Sequence, residues 1–288
     1  MSPYRNSVIK IVSLAICVLL NSSVLAQRSK NFKNLEEARK NPDSVEWLTL
    51  RDQGLAQFPE VILEFKNLRY LDLSKNKIKS LPPNVGKLEN LIYADFSENA
   101  IRELPSSFAN LKKLKNLYID YNGKQNLEQE FEVLSFLPSL NVLDISGDSI
   151  SQLPPSIGKL KSLKYLELSY NQIEVLPTEF IGLKQLQILS INGDKNFDLK
   201  RNIPLLSQLP MLKELHLEGD QIREIPPGIK NLKNLESLYL TNNSLEVIPR
   251  EFNEMKNLRY IDLSRNRVPH IHGSLMYEAL ESKIIIKF

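Results

Sequence analysis

LRYLDLSKNKIKSLPPNVGKLEN, residues 68–90, and LKYLELSYNQIEVLPTEFIGLKQ, residues 163–185, are two copies of one pattern. Each has leucine at positions 1, 4 and 6, asparagine at position 9 and proline at position 15. Working outward, units begin at Val45, Leu68, Leu91, Leu114, Leu140, Leu163, Leu186, Leu212, Leu235 and Leu258. Successive starts are 23 residues apart except after Leu114 and Leu186, where the spacing is 26. Such self-similarity marks a stacked array, in which one unit cannot bury its apolar face alone. Leu68, Leu71 and Leu73 therefore need neighbours on both sides. The long units also set a higher period: Leu68, Leu140 and Leu212 lie 72 residues apart, as expected if a three-unit block was duplicated.

Position 9 is Asn or Asp in every unit but the first, which has Gln53. At a turn leaving a strand, an amide can both donate to carbonyls and accept from N–H groups that would otherwise be buried unpaired. Asp148, Asp194 and Asp220, if ionised, can only accept, which predicts weaker turns there. Proline fills position 15 in the complete 23-residue units (from Pro59 to Pro249), but Glu128 and Lys200 replace it in the long ones. The long arms space Leu127, Phe131, Leu134, Leu137 and Leu199, Ile203, Leu206, Leu209 by 4, 3 and 3 residues, a helical period. Extended or 3₁₀ arms are expected in the proline units, and α-helices in the long ones.

These units resemble the leucine-rich-repeat family, in the variety with LPxxIxxLxxL in its second half that is common in bacterial secreted proteins and Ras-pathway scaffolds. The resemblance covers residues 45–270. It implies an α/β right-handed solenoid whose strands form a concave parallel sheet, and a binding module for a protein or peptide. A structural or adhesive surface component is the alternative reading, and a small-GTPase scaffold a weaker one by analogy. Residues 27–44 read as an N-terminal helical cap opening at Asn34 with Glu37 in its first turn. Residues 271–288 read as a C-terminal cap, a helix over 274–282 and then a final strand whose lysines protect its edge.

Arg5 and Lys10 precede an apolar run over residues 11–20, and Val24 and Ala26 suit a signal peptidase. Residues 1–26 are thus read as a signal peptide, and the protein as secreted to periplasm, surface or medium. Ile16 before Cys17 is too large for a lipoprotein site. Lys plus Arg is 37 and Asp plus Glu 34, so without that segment the charge is 35 − 34 = +1. So small a charge does not suit a dedicated nucleic-acid binder. Cys17 is the only cysteine, so disulfides, a thiol nucleophile and Cys-based zinc sites are excluded from the mature chain. Extracellular eukaryotic members of the resembled family usually carry capping disulfides, so a bacterial origin is expected. His270 and His272 have no third ligand nearby, and the EF-hand-like start Asp194–Asp198 lacks the glycine and closing glutamate of such a loop. No cofactor, metal or enzymatic activity is expected.

Strand alternation sends positions 3, 5 and 7 outward on the concave face. Position 3 holds Trp47, Tyr70, Tyr93, Tyr165 and Tyr260; position 5 holds Tyr118 and Tyr239, with Asp72, Asp95, Asp144, Glu167 and Asp262. The three positions carry eight acids and one base, Arg51. Aromatics dominate binding hot spots and acids select cations, so these residues are the candidate site for a basic or mixed apolar partner. Lys66, Lys112, Lys161, Lys184, Lys233 and Lys256 gather instead where the arms end.

Overall fold

The computed structural model describes residues 30–123, 127–268 and 284–288. Its strands form one parallel sheet in strictly sequential order. They are β1 (Asn31–Phe32), β2 (Trp47–Thr49), β3 (Tyr70–Asp72), β4 (Tyr93–Asp95), β5 (Asn116–Tyr118), β6 (Val142–Asp144), β7 (Tyr165–Glu167), β8 (Ile188–Ser190), β9 (Glu214–His216), β10 (Ser237–Tyr239), β11 (Tyr260–Asp262) and β12 (Ile285–Lys287). The ten repeats supply β2 to β11. Twelve strands spaced at about 4.8 Å make a sheet roughly 53 Å long. Register places each repeat position on its own counterpart: Trp47 opposite Tyr70, Tyr70 opposite Tyr93, Tyr239 opposite Asp262.

Leu68, Leu71 and Leu73 are fully buried, and one continuous apolar core runs the length of the array. Each arm adds an apolar side chain to it, among them Ile62, Phe108, Phe131, Phe180 and Phe252. The proline arms form 3₁₀ turns, for example Ser106–Asn110 and Thr178–Gly182. Pro105 and Pro177 immediately precede these turns with φ −66° and −67°, the value the pyrrolidine ring imposes. The long arms form α2 (Glu128–Leu134) and α3 (Leu199–Leu206), as their spacing predicts.

Each strand leaves through a turn held by position 9. Asn76 Oδ1 accepts from the N–H groups of Gln53 and Leu55, both at 3.0 Å. Its Nδ2 donates to the carbonyls of Leu50 (2.9 Å) and Leu73 (2.8 Å). Asn99, Asn171, Asn243 and Asn266 repeat these donations, reaching the carbonyls of Leu73, Ile145, Leu217 and Leu240 and so linking each unit to its predecessor. A second ladder, absent from the sequence reading, runs where the arms end. There Asn67, Asn90, Asn234 and Asn257 donate to carbonyls of Asp43, Lys66, Pro210 and Lys233.

At the N-terminal end α1 (Leu35–Arg39) is capped by Asn34, whose side chain accepts from the Glu36 N–H at 2.7 Å. Glu37 pairs with Lys30 instead of closing the cap. The cap also contributes β1, which the sequence reading did not foresee. At the other end β12 pairs with β11, and Lys287 Nζ reaches Asp262 Oδ2 at 2.9 Å. The expected signal peptide, the expected helix over 274–282, His270 and His272 lie outside the described residues.

Candidate binding face

A strand spacing near 4.8 Å is close to the thickness of a stacked pair of rings, so like residues on successive strands meet face to face. Trp47 and Tyr70 have ring centroids 4.2 Å apart, Tyr70 and Tyr93 3.9 Å with planes within 7°, and Tyr93 and Tyr118 5.2 Å. A second stack joins His216 to Tyr239 at 4.1 Å and Tyr239 to Tyr260 at 5.4 Å. Between the two stacks, Tyr118, Val142 and Tyr165 form an apolar cluster of their own, flanked by Tyr93 and Ile188.

This packing corrects the expectation of an evenly solvated face. Trp47, Tyr70, Tyr93, Tyr239 and Tyr260 are half-buried, whereas Tyr118 and Tyr165 keep only 9% and 7% of their surface exposed. Glu167 and Asp262 are also buried. The side chains do point away from the leucine core, but the middle of the sheet is covered by its own neighbours.

The position-5 acids share one local bond. Asp72, Asp95, Asp144 and Asp262 each accept from the backbone N–H two residues on, at 2.9, 3.0, 3.0 and 2.9 Å. Glu167 does the same with Ser169. In every case residue 7 is serine, and the hydroxyls of Ser74, Ser97, Ser146 and Ser169 donate to the same carboxylate. The acid and serine therefore form a hook that fixes the carboxylate over the sheet before any partner arrives. Tyr165 Oη adds a 2.5 Å bond to Glu167.

Crowding carboxyls on adjacent strands away from water disfavours their charged forms. Burial, reinforced by Asp72, raises Asp95 to about 6. Burial, reinforced by Glu167, raises Asp144 to about 8. Asp120, a position-7 residue, is raised well above the usual range by burial and by Asp144 and Asp95. Further along, burial raises Glu218. Asp262 goes the other way: burial opposes ionisation, but hydrogen bonds from Ser264 and Lys287 outweigh it. Asp144, and to a lesser degree Asp95, thus hold protons at neutral pH, which composition alone does not suggest.

The arm-end lysines Lys66, Lys112, Lys161, Lys184, Lys233 and Lys256 are exposed away from this face. Asp194 is buried in the repeat turn, its Oδ2 accepting from the Ile173 N–H at 2.6 Å, and Asp198 caps α3. Among the described residues no three His, Cys, Asp or Glu side chains are placed to hold a metal, and no helix is long and apolar enough to cross a membrane. Sequence reasoning missed His216, Asp120, Val142 and Ile188 as parts of the face. Their register positions were legible; their contacts depend on strand neighbours 23 or 26 residues away.

Compared with known proteins, residues 56–145 match the family description "Leucine-rich repeat region", and residues 138–195 and 206–268 match "Leucine rich repeat". No curated protein matches the chain. Among solved structures, a leucine-rich-repeat protein of Leptospira interrogans is 25% identical, with a TM-score of 0.45 over 90% of this chain and 100% of that one.

Proposed function

The chain belongs to the leucine-rich-repeat family, whose domains typically bind proteins, and from that premise we propose that it is an exported, non-catalytic recognition module. The partner is a protein or peptide carrying Lys or Arg beside aromatic or aliphatic side chains. One observation carries this reading: the Trp47–Tyr70–Tyr93 stack runs directly into a cluster of carboxyls, Asp95, Asp144 and Glu167 held in their serine hooks with Asp120 among them. The rings give rigid apolar contact area with little side-chain entropy left to lose. The carboxyls offer charge that a cation would stabilise in the ionised form. A bound cation therefore draws protons off Asp144 and Asp95, and binding tightens as pH rises from 6 to 8.

The test is capture of a saturable partner from the protein's native surroundings, or from a displayed peptide library, with wild type beside Trp47→Ala, Tyr70→Ala and Tyr93→Ala. Each variant should bind about tenfold or more weakly while melting like wild type. Binding that survives all three substitutions places the partner elsewhere, and no saturable partner at all favours the structural or adhesive reading. Export through residues 1–26 is part of the same proposal, and mass spectrometry of the exported protein should find Gln27 at its N-terminus. An intact Met1 in that fraction would rule this out.

A further inference from the structure

A second surface differs from the concave face in both charge and chemistry. It is the rim where the arms end and the strands begin. Contacts to carbonyls mark it at five of the unit junctions: Lys66 to Asn90, Lys112 to Phe136, Leu137 to Ser162, Pro210 to Asn234, Lys233 to Asn257. These bonds tie the arm ends of those neighbours together, and backbone bonds at the strand starts, such as Lys164 N–H to the Asn141 carbonyl and Gln187 N–H to the Lys164 carbonyl, continue the edge between them. In its middle stretch it carries Lys112, Lys115, Lys161, Lys164 and Lys184. The single acid there, Glu132, is paired with Lys159. Lys115, Lys161, Lys164 and Lys184 make no ion pair among the described residues. The chain is nearly neutral, so this rim balances the acids of the concave face by segregating charge, not by pairing it.

Phe136 stands among these lysines with 60% of its surface exposed, and Lys112 Nζ lies 5.8 Å from its ring. It occupies the turn after α2, at the protruding end of the first long unit. The corresponding end of the second long unit exposes Met211 (37%), beside Pro210 of the same ladder. The two turns are three strands apart, about 14 Å. Water-facing aromatic and thioether side chains on a rigid basic edge are poorly suited to solvent. They suit a surface with anionic headgroups and an apolar layer a few ångströms below them. A nucleic acid or soluble polysaccharide would use the lysines but would gain nothing from Met211.

We propose that this rim docks peripherally on an anionic lipid bilayer, with the lysines over the headgroups and Phe136 and Met211 dipping into the interface. The concave sheet is then held upright and open to its own partner. This proposal does not depend on what the concave face binds.

Vesicle co-sedimentation of the full chain tests it, with phosphatidylglycerol-containing vesicles compared against pure phosphatidylcholine. The lysine variants keep Arg5, Lys10 and the apolar run over residues 11–20, so a preference lost in them does not come from that segment. Preference for the anionic vesicles should fall as salt rises. It should drop about fivefold for each lysine removed in Lys112→Ala, Lys161→Ala and Lys184→Ala. Phe136→Ser should weaken it by a further several-fold. Lys77→Ala with Arg102→Ala, exposed cations on the opposite rim, should change it little. Circular dichroism verifies that each variant is folded. No preference for anionic vesicles, or a preference unchanged in the triple lysine variant, overturns the proposal. So does a result in which heparin or RNA binds with the same lysine dependence while Phe136→Ser has no effect on vesicles, since the partner is then a soluble polyanion.

Discussion

The buried Asn76 side chain accepts two hydrogen bonds at Oδ1, and its two Nδ2 protons serve three carbonyls, each contact spanning a turn or joining two units. Removing it leaves carbonyls and N–H groups without partners in a place water does not reach. Asn76→Ala should therefore cost about 1–3 kcal/mol. Leu71→Ala, in the fully buried column beside it, should cost about 2–5 kcal/mol through lost transfer energy and a residual cavity. Denaturant titration of both variants checks the repeat register: values indistinguishable from wild type for both would mean that the assigned positions are wrong. Both roles were legible in the sequence, because ten units with an apolar residue at position 4, nine of them with Asn or Asp at position 9, have few physical explanations. The expectation about aspartate at position 9 was less secure. Burial raises Asp220 to about 9 and Asp194 to about 6, so at neutral pH Asp220 is a neutral acid and not the acceptor-only carboxylate its composition implies.

At the scale of the element, the turn after each strand passes through the left-handed region at position 8 in all ten units. Asp52, Lys75, Glu98, Tyr121, Tyr170, Asn242 and Arg265 do so with a side chain, and Gly147, Gly193 and Gly219 without one. Two of these glycines have a reason beyond φ. A Cβ on Gly147 would sit 2.3 Å from the Tyr121 ring, and one on Gly193 2.6 Å from Tyr170. The position-8 tyrosine of one unit thus lies over the position-8 glycine of the next. Gly147→Ala should cost about 1–3 kcal/mol, whereas Gly123→Ala, with similar φ and open space, should cost only the backbone penalty of about 1–2 kcal/mol. In the double variant Gly147→Ala/Tyr121→Ala part of the excess should return; full additivity would show that ring contact is not the cause. The pairing is visible in sequence only after position 8 is known to stack on itself. The acid-to-serine hook was more accessible, since every acid at position 5 is followed by serine at position 7.

At the scale of the whole molecule, stability should depend on pH with an unusual sign. Asp95, Asp144, Asp194 and Asp220 titrate near 6, 8, 6 and 9 when folded, against an ordinary value of 3.8. Between about pH 4 and 9 the folded chain therefore holds more protons than the unfolded one, and stability falls as pH rises through that window. Asp262, shifted downward, opposes the trend only at the acid end. The melting temperature should be highest near pH 4 and decline toward pH 9, and Asp220→Asn should flatten the decline by supplying a neutral side chain at every pH. A melting temperature that instead rises from pH 5 to 9 would contradict the raised carboxyls. The distinction between what the chain encodes locally and what the assembly adds follows the same lines. Unit length, the leucine core, the asparagine turns and the choice between 3₁₀ and α-helical arms were determined by the sequence alone, because each depends on residues within one repeat. Which outward residues remain exposed, which rings stack and which acids keep their protons were decided by tertiary structure. Those properties arise between residues 23 or 26 apart, brought within about 5 Å by the parallel register, where desolvation and like charge act together.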